Sequence, residues 1–244
     1  MDLSVVVPVF NEAGNIDSLL DEIRTALAAR FEFEVVYVDD GSRDGTADEL
    51  RAARARLPEL RVVTHRRSCG QSTALRSGIL AARSPVIATL DGDGQNDPAD
   101  IPRLFEVLEA SPPGAGLRMV AGYRKRRRDS WIKRISSRIA NGVRSSLLGD
   151  ATPDTGCGLK VFYRETFLEL PYFDHMHRFL PALVQRAGWG VTSVEVNHRE
   201  RGHGRSKYGT LGRLVAGIDD LLGVMWLKRR SRVPEIVDAP DALD

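Results

Sequence analysis

The N-terminal part of the chain alternates short β-branched runs with amphipathic stretches, and its runs stop on polar residues. "SVVVPVF" (4–10) is followed by Asn11 and Glu12, "EVVYVDD" (34–40) closes on Asp39 and Asp40, and "VIATL" (86–90) runs into "DGDGQNDP" (91–98). Between the first two, Ile16, Leu19, Leu20, Ile23 and Leu27 fall at helical spacing. Helices are predicted near 45–56 and 71–83, with a strand at 61–65. This alternation dictates βαβ units and a parallel sheet. Ligands of such sheets sit beyond the carboxyl ends of the strands. The three polar strand ends should therefore share one rim.

From residue 98 onward the pattern changes. A helix is predicted near 99–110, a turn at "SPPGAG" (111–116) and a strand at 118–123. The basic run "RKRRR" (124–128) precedes a helix near 131–147, a strand at 158–165, a helix at 177–190 that stops at glycine, and a strand at 191–199. With 244 residues, 42% of them hydrophobic, the chain can bury a sizeable core. A net charge of +2 from 35 basic and 33 acidic residues argues against nucleic-acid binding. Cys69 and Cys157 form no CxxC and read as reduced thiols of a cytoplasmic protein. The N-terminus lacks the basic region of a signal peptide, and no apolar run reaches the roughly 18 residues of a membrane span. A soluble protein, or one lying on a membrane surface, is expected.

In "DGDGQND", Asp91, Asp93 and Gln95 put oxygens at alternate positions, as suits a hard cation such as Mg²⁺ or Mn²⁺. An EF-hand is excluded, because its required glycine falls on Asn96 and its closing glutamate on Pro102. The plainer alternative is a solvated acidic turn before an Asx-Pro helix start, with Asp97 as the cap. Neither GxGxxG nor GxxxxGK[ST] follows the first strand. A cation held by few carboxylates completes its shell with substrate phosphates, and acidic strand ends can hold ribose or a base. A nucleotide-diphosphate ligand satisfies both.

"VVVPVFNE" (5–12), "VDDGSRDGT" (38–46) and "DGDGQ" (91–95), in this order, resemble the inverting glycosyltransferases of family 2. "AGYR" (121–124), "DTGCGLKVFYRE" (154–165) and "RGHGRSKYG" (201–209) resemble the dolichyl-phosphate mannose synthase branch and its bacterial polyprenyl-phosphate relatives. The resemblance implies an α/β GT-A fold, with a Rossmann-like, mostly parallel sheet flanked by helices and a C-terminal amphipathic helix. It implies a glycosyltransferase domain over 1–210, divided into a nucleotide-binding half (1–97) and an acceptor-binding half (98–210). An interface helix at 211–230 and a disordered tail at 231–244 would follow.

By the same resemblance, Pro8, Asn11 and Glu12 lie against the nucleotide, and Asp39 or Asp40 meets its base or ribose. Asp93 and Gln95 hold Mg²⁺ or Mn²⁺, and Asp91 lies against the nucleotide-sugar. Arg124, then Arg134 with Ser136 or Ser137, contact phosphate. Arg201, Gly204, Ser206 and Lys207 form a loop that closes on substrate. His177 and Arg178 either line an acceptor phosphate site or simply start a helix. The implied reaction moves a hexose-type sugar from a nucleotide-diphosphate donor to a polyprenyl phosphate, which needs no general base because it is already anionic.

Leu211, Leu214, Val215, Ile218, Leu221, Leu222 and Met225 form a helical stripe ahead of Trp226 and "KRRSR" (228–232). Asp219 and Asp220 interrupt it. Such a helix either lies in a membrane interface or packs on the core or a dimer partner. The expected location is peripheral, on the cytoplasmic membrane face. Rival readings are a family 2 enzyme acting on a saccharide hydroxyl, a metal-dependent phosphatase built on "DDGSRDGT", and a non-catalytic anchor.

Overall fold

A computed structural model describes residues 1–112, 115–124, 147–150, 152–199 and 210–232, with side chains of the last segment from 217. The N-terminal elements are β1 (Leu3–Val9), α1 (Ile16–Leu27), β2 (Phe33–Asp39), α2 (Thr46–Arg56), β3 (Leu60–Thr64), α3 (Gln71–Ala81) and β4 (Val86–Thr89). A 3₁₀ turn (Pro98–Asp100) leads into α4 (Ile101–Glu109) and β5 (Leu117–Tyr123). Then come β6 (Lys160–Tyr163), α5 (Arg164–Glu169), α6 (Leu180–Arg186), β7 (Gly190–Glu195) and α7 (Thr210–Arg230). The short α5 follows β6 directly, where the sequence pattern suggested only strand. The predicted 177–190 helix divides into a 3₁₀ turn (Met176–Arg178) and α6, because Pro181 has no backbone N–H to continue the earlier turn.

The strands form one sheet in the order β3-β2-β1-β4-β6-β5-β7. β1 pairs in parallel with β2 and β4, β2 with β3, and β5 with β7; β6 runs antiparallel to both neighbours. The sheet is mixed but mostly parallel, as expected. Strand order reverses around β1, and the carboxyl ends of β1 and β4 lie side by side at that switch point. The antiparallel run of β6 brings its amino end, and the residues just before it, to this same rim.

Alternate strand residues feed two cores. Val5, Val7 and Val9 pack with Leu19, Leu20 and Ile23 of α1, Leu50 of α2 and Leu104 of α4. Val6, Val36 and Val38 pack on the opposite face with Leu75 and Ile79 of α3, Leu183 of α6 and Val224 of α7. Leu221, Met225 and Leu227 of α7 rest on that second core, whereas Ile218, Leu222 and Trp226 are 51%, 58% and 55% exposed. The predicted single stripe is thus split between two faces of the helix. Among the described residues no helix is long and apolar enough to cross a membrane.

At the sheet end away from the rim, buried Glu34 accepts from Ser4 Oγ (2.7 Å), Arg83 N (2.7 Å) and Arg61 Nη1 (3.2 Å). Replacing it with alanine strands the Ser4 hydroxyl and the Arg83 N–H and removes the carboxylate partner of Arg61, whose Nη1 keeps the Ala81 carbonyl. Glu34→Ala should lower unfolding free energy by about 3 kcal/mol in urea titrations, with the α/β circular-dichroism spectrum retained.

Candidate active site

The rim is built from loops that bond across strand ends. Asn11 adopts positive φ (52°), and its Oδ1 accepts from Arg43 N at 2.7 Å. Asn11 N donates to Ser42 Oγ (2.9 Å) and Glu12 N to Thr46 Oγ1 (2.9 Å), so the loop after β1 is tied to the loop after β2. Asp39 Oδ1 accepts from Ser42 N at 2.9 Å. Asp40 turns to the neighbouring 65–70 segment. It accepts from Ser68 Oγ (2.7 Å), Cys69 N (2.9 Å) and Gly70 N (2.9 Å) and pairs with His65 Nδ1 (2.7 Å). Burial pushes the Asp40 carboxyl upward, but these donors outweigh it and hold it below the ordinary carboxylate range.

Asp40, His65 and Cys69 place ligand-type atoms within 4.8 Å of one another. Asp40 is already saturated with donors, and His65 Nε2 is engaged by Ser77 Oγ at 2.9 Å. Hydrogen bonds account for this cluster, so it is a clasp between strand ends.

The acidic turn after β4 is pressed between two backbones. A Cβ on Gly92 would lie 2.4 Å from Val9 Cγ1 and 3.1 Å from the Pro8 carbonyl. A Cβ on Gly158 would lie 2.2 Å from Asp91 Oδ2. Only glycine allows both approaches. Asp91 Oδ1 accepts from Gln71 Nε2 at 2.9 Å, and Asp91 N donates to Asn96 Oδ1 at 3.2 Å. Burial raises the Asp91 carboxyl to about 6 and the Asp93 charge adds to this, against Lys160, Arg124 and Gln71. Asp93 is 8% exposed, and its Oδ1 accepts from Gln95 N at 3.1 Å. From behind, Arg199 N donates to the Gln95 carbonyl (3.0 Å) and Arg199 Nη2 to the Asn96 carbonyl (3.0 Å). Asp97 accepts from Ala99 N at 3.0 Å, the expected cap.

Arg124, at the end of β5, is held by Asp154 in a two-point fork, Nε–Oδ2 2.6 Å and Nη2–Oδ1 2.9 Å. The sequence reading assigned this guanidinium to phosphate and gave Asp154 no role. Lys160 and Gln71 were missed as well. Lys160 is buried at the start of β6, with its Nζ bonded to the Cys157 carbonyl and 3.5 Å from that of Thr155. The available signal was a lysine opening an apolar strand, "KVFY". Pro8, Asn11, Glu12, Asp39, Asp91, Asp93, Gln95 and Arg124 all lie at the rim. Arg134, Ser136, Ser137, Arg201, Gly204, Ser206 and Lys207 lie outside the described residues, as do the predicted 131–147 helix (save its last residue) and most of the tail.

His177 lies below the rim, its Nδ1 2.8 Å from Ser72 Oγ and its N–H donating to the same oxygen at 3.2 Å. Burial, then Arg178, Lys160 and His175, push its pKa down to about 3. It is therefore neutral at ordinary pH and brings no charge to a phosphate.

The sequence family described as Glycosyl transferase family 2 matches residues 4–170. A dodecaprenyl-phosphate galacturonate synthase of Rhizobium johnstonii is 36% identical over 239 residues, covering 96% of this chain and 69% of its own length. An undecaprenyl-phosphate 4-deoxy-4-formamido-L-arabinose transferase of Edwardsiella ictaluri is 35% identical over 212 residues, covering 86% and 63%. Among solved structures, glucosyl-3-phosphoglycerate synthase from Mycobacterium tuberculosis, in complex with Mg²⁺ and UDP, aligns with a TM-score of 0.68 at 19% identity, over 96% of this chain and 80% of that one. A mannosyltransferase from Pyrobaculum calidifontis, in complex with GDP-Man and Mn²⁺, gives 0.66 at 22% identity, over 95% and 65%. These likenesses confirm the expected GT-A fold.

The mixed, mostly parallel sheet with its acidic rim is that of the GT-A glycosyltransferase fold. The chain belongs to glycosyltransferase family 2. It spans about two thirds of the length of the curated relatives it matches, 69% and 63% for the two above.

His177 carries a pH dependence of known sign. Below its unfolded pKa of about 6.5 the unfolded chain takes up a proton that the folded chain refuses, so stability falls as pH drops toward 3. Between pH 7 and pH 5 this group should cost about 2 kcal/mol. His177→Asn, which keeps an acceptor for Ser72, should remove that part of the difference between urea midpoints at the two pH values.

Proposed function

We propose that this protein transfers a sugar from a nucleotide-diphosphate donor to a polyprenyl phosphate, with inversion at the anomeric carbon and with Mg²⁺ or Mn²⁺ bound. The observation that carries the reading is the convergence at one rim of the β1–β2 loops, the Asp91–Gln95 turn and Arg124. Two relatives named as polyprenyl-phosphate sugar transferases support the donor and acceptor classes. Solved structures of the same fold hold Mg²⁺ or Mn²⁺ together with UDP or GDP-Man.

The donor set fits a hard cation. Asp93 and Gln95 offer oxygen ligands, and the space beside Gly94 between them is open, with no atom within 4 Å of a Cβ placed there. Asp93 and Gln95 would hold the ion, which would neutralise the diphosphate as it leaves. Pro8, Asn11 and Glu12 flank the nucleotide. Asp39 is the better candidate for base or ribose, since Asp40 is consumed by the 65–70 loop. Asp91, poorly solvated, faces the sugar. Arg124, stiffened by Asp154, offers positive charge to phosphate. Arg134, Arg201 and Lys207 complete the acceptor phosphate site in this proposal.

Asp39, Asp40 and Asp154 are each engaged by protein donors. The reading does not need a base from them: a phosphate monoester attacks as an anion, and rate comes from alignment and charge. The sugar expected is of hexose type, and the relatives' names add uronic acids and formamido-pentoses to the panel to be tried.

Incubation with polyprenyl phosphate, Mg²⁺ or Mn²⁺ and a panel of UDP- and GDP-sugars should yield a glycolipid. Asp93→Asn should reduce turnover by at least about a hundredfold while leaving the urea midpoint nearly unchanged. Full activity in that variant would remove the metal role.

An acceptor embedded in lipid places the enzyme at a membrane surface, and the exposed Ile218, Leu222 and Trp226 with the exposed Arg229 and Arg230 suit that contact, while Lys228 is engaged by the Leu148 carbonyl. Replacing the three apolar residues with serine should weaken sedimentation with anionic vesicles by about tenfold or more. Soluble donor binding should persist.

A further inference from the structure

We propose that Lys160 is a positioning residue that sets both halves of the rim at once, through the turn formed by residues 154–158. The inference rests on the donor-site reading above and adds to it a residue that reading does not use.

Lys160 lies in the sheet interior, paired with Thr89 of β4 and Ala121 of β5. The two-residue period puts it on the face of Phe162, where an apolar side chain would continue the strand pattern. A charge there loses its hydration and needs compensation. The compensation comes from the 154–158 turn, where Nζ is bonded to the Cys157 carbonyl and lies 3.5 Å from that of Thr155; burial pushes the Lys160 pKa down, and the Asp91 and Asp154 carboxylates oppose it only in part.

That turn touches both sides of the site. On one side Thr89 Oγ1 donates to the Gly158 carbonyl at 2.7 Å, and Gly158 leaves no room for a Cβ beside Asp91. On the other side Asp154 grips Arg124, and a Cβ on Gly156 would sit 3.5 Å from Arg124 Nη2. One ammonium thereby gathers the carbonyls of the turn that seats Asp91 and carries the arginine's partner. A methionine would fill the same space without the cost of burying a charge, so the lysine is a poor choice for stability alone.

The test uses the full chain and three variants. Lys160→Met should raise hydrogen exchange in residues 154–158 and leave that of β1 and β2 unchanged. It should weaken binding of Mn²⁺ with UDP or GDP by between about ten- and a hundredfold, at an unchanged or higher urea midpoint. Lys160→Arg should recover most of the binding. Gly158→Ala, which displaces the turn from Asp91 with Lys160 intact, should weaken binding likewise. Unaltered exchange in 154–158, or a binding loss that merely follows a lowered urea midpoint, would overturn the assignment. If the unaltered protein bound no metal–nucleotide, the donor-site reading would fail instead, and the exchange measurement would still decide the role of Lys160.

Discussion

The seam at the end of β4 governs the rest of the rim. There the parallel half of the sheet meets the antiparallel β6, and two backbones close on the acidic turn with glycine at both contacts. Gly92 lies against Val9 and Pro8, and Gly158 against Asp91. The closeness removes water from Asp91 and makes its ionisation costly. A carboxylate in that position calls for positive charge, and the fold supplies it from two directions through Arg124 and Lys160. In the proposed reaction the cation and donor complete this balance.

The antiparallel strand explains how that charge arrives. In a purely parallel sheet, residues preceding a strand lie at the end away from the ligand. Because β6 runs backward, the segment 154–159 comes to the ligand rim, bringing Asp154 and the carbonyls that Lys160 binds. β5 and β7 then run parallel to β4 again, so Arg124 and Arg199 emerge at the same level. The reversal gives the rim a second side, so that the cleft is lined from both halves of the sheet.

Much of this was legible in the residues. β-branched runs ending in polar residues gave the strand ends, and the helical spacing of Ile16 to Leu27 matched α1, where all five apolar positions are buried. The alternating oxygens of 91–95 do follow a buried strand at the shared rim. What was not legible was pairing at long range. Arg124 and Asp154 lie thirty residues apart, and nothing local marks one as the other's partner. His177 was left open between two roles because burial is invisible in a sequence; burial first, and then the charges of Arg178, Lys160 and His175, keep it neutral, while Ser72, 105 residues earlier, holds its ring in place. The C-terminal stripe was read as one face, yet a helix with apolar residues on two sides produces the same spacing.

That two-sided helix bears on the proposed membrane contact. Leu221, Val224 and Met225 fix α7 to the core that also holds α3 and α6, so the outer row of Ile218, Leu222 and Trp226 is carried by a rigid element. His175 Nδ1, 2.9 Å from an Asp220 carboxylate oxygen, pins the same helix to the loop that holds His177. That loop in turn abuts the start of α3, where Gln71 reaches Asp91. In the proposed reading, the face that meets lipid is thus connected to Asp91 by packed side chains and short polar contacts. For an acceptor whose phosphate stays at the headgroup level, fixed geometry between membrane face and cleft shortens the search for alignment.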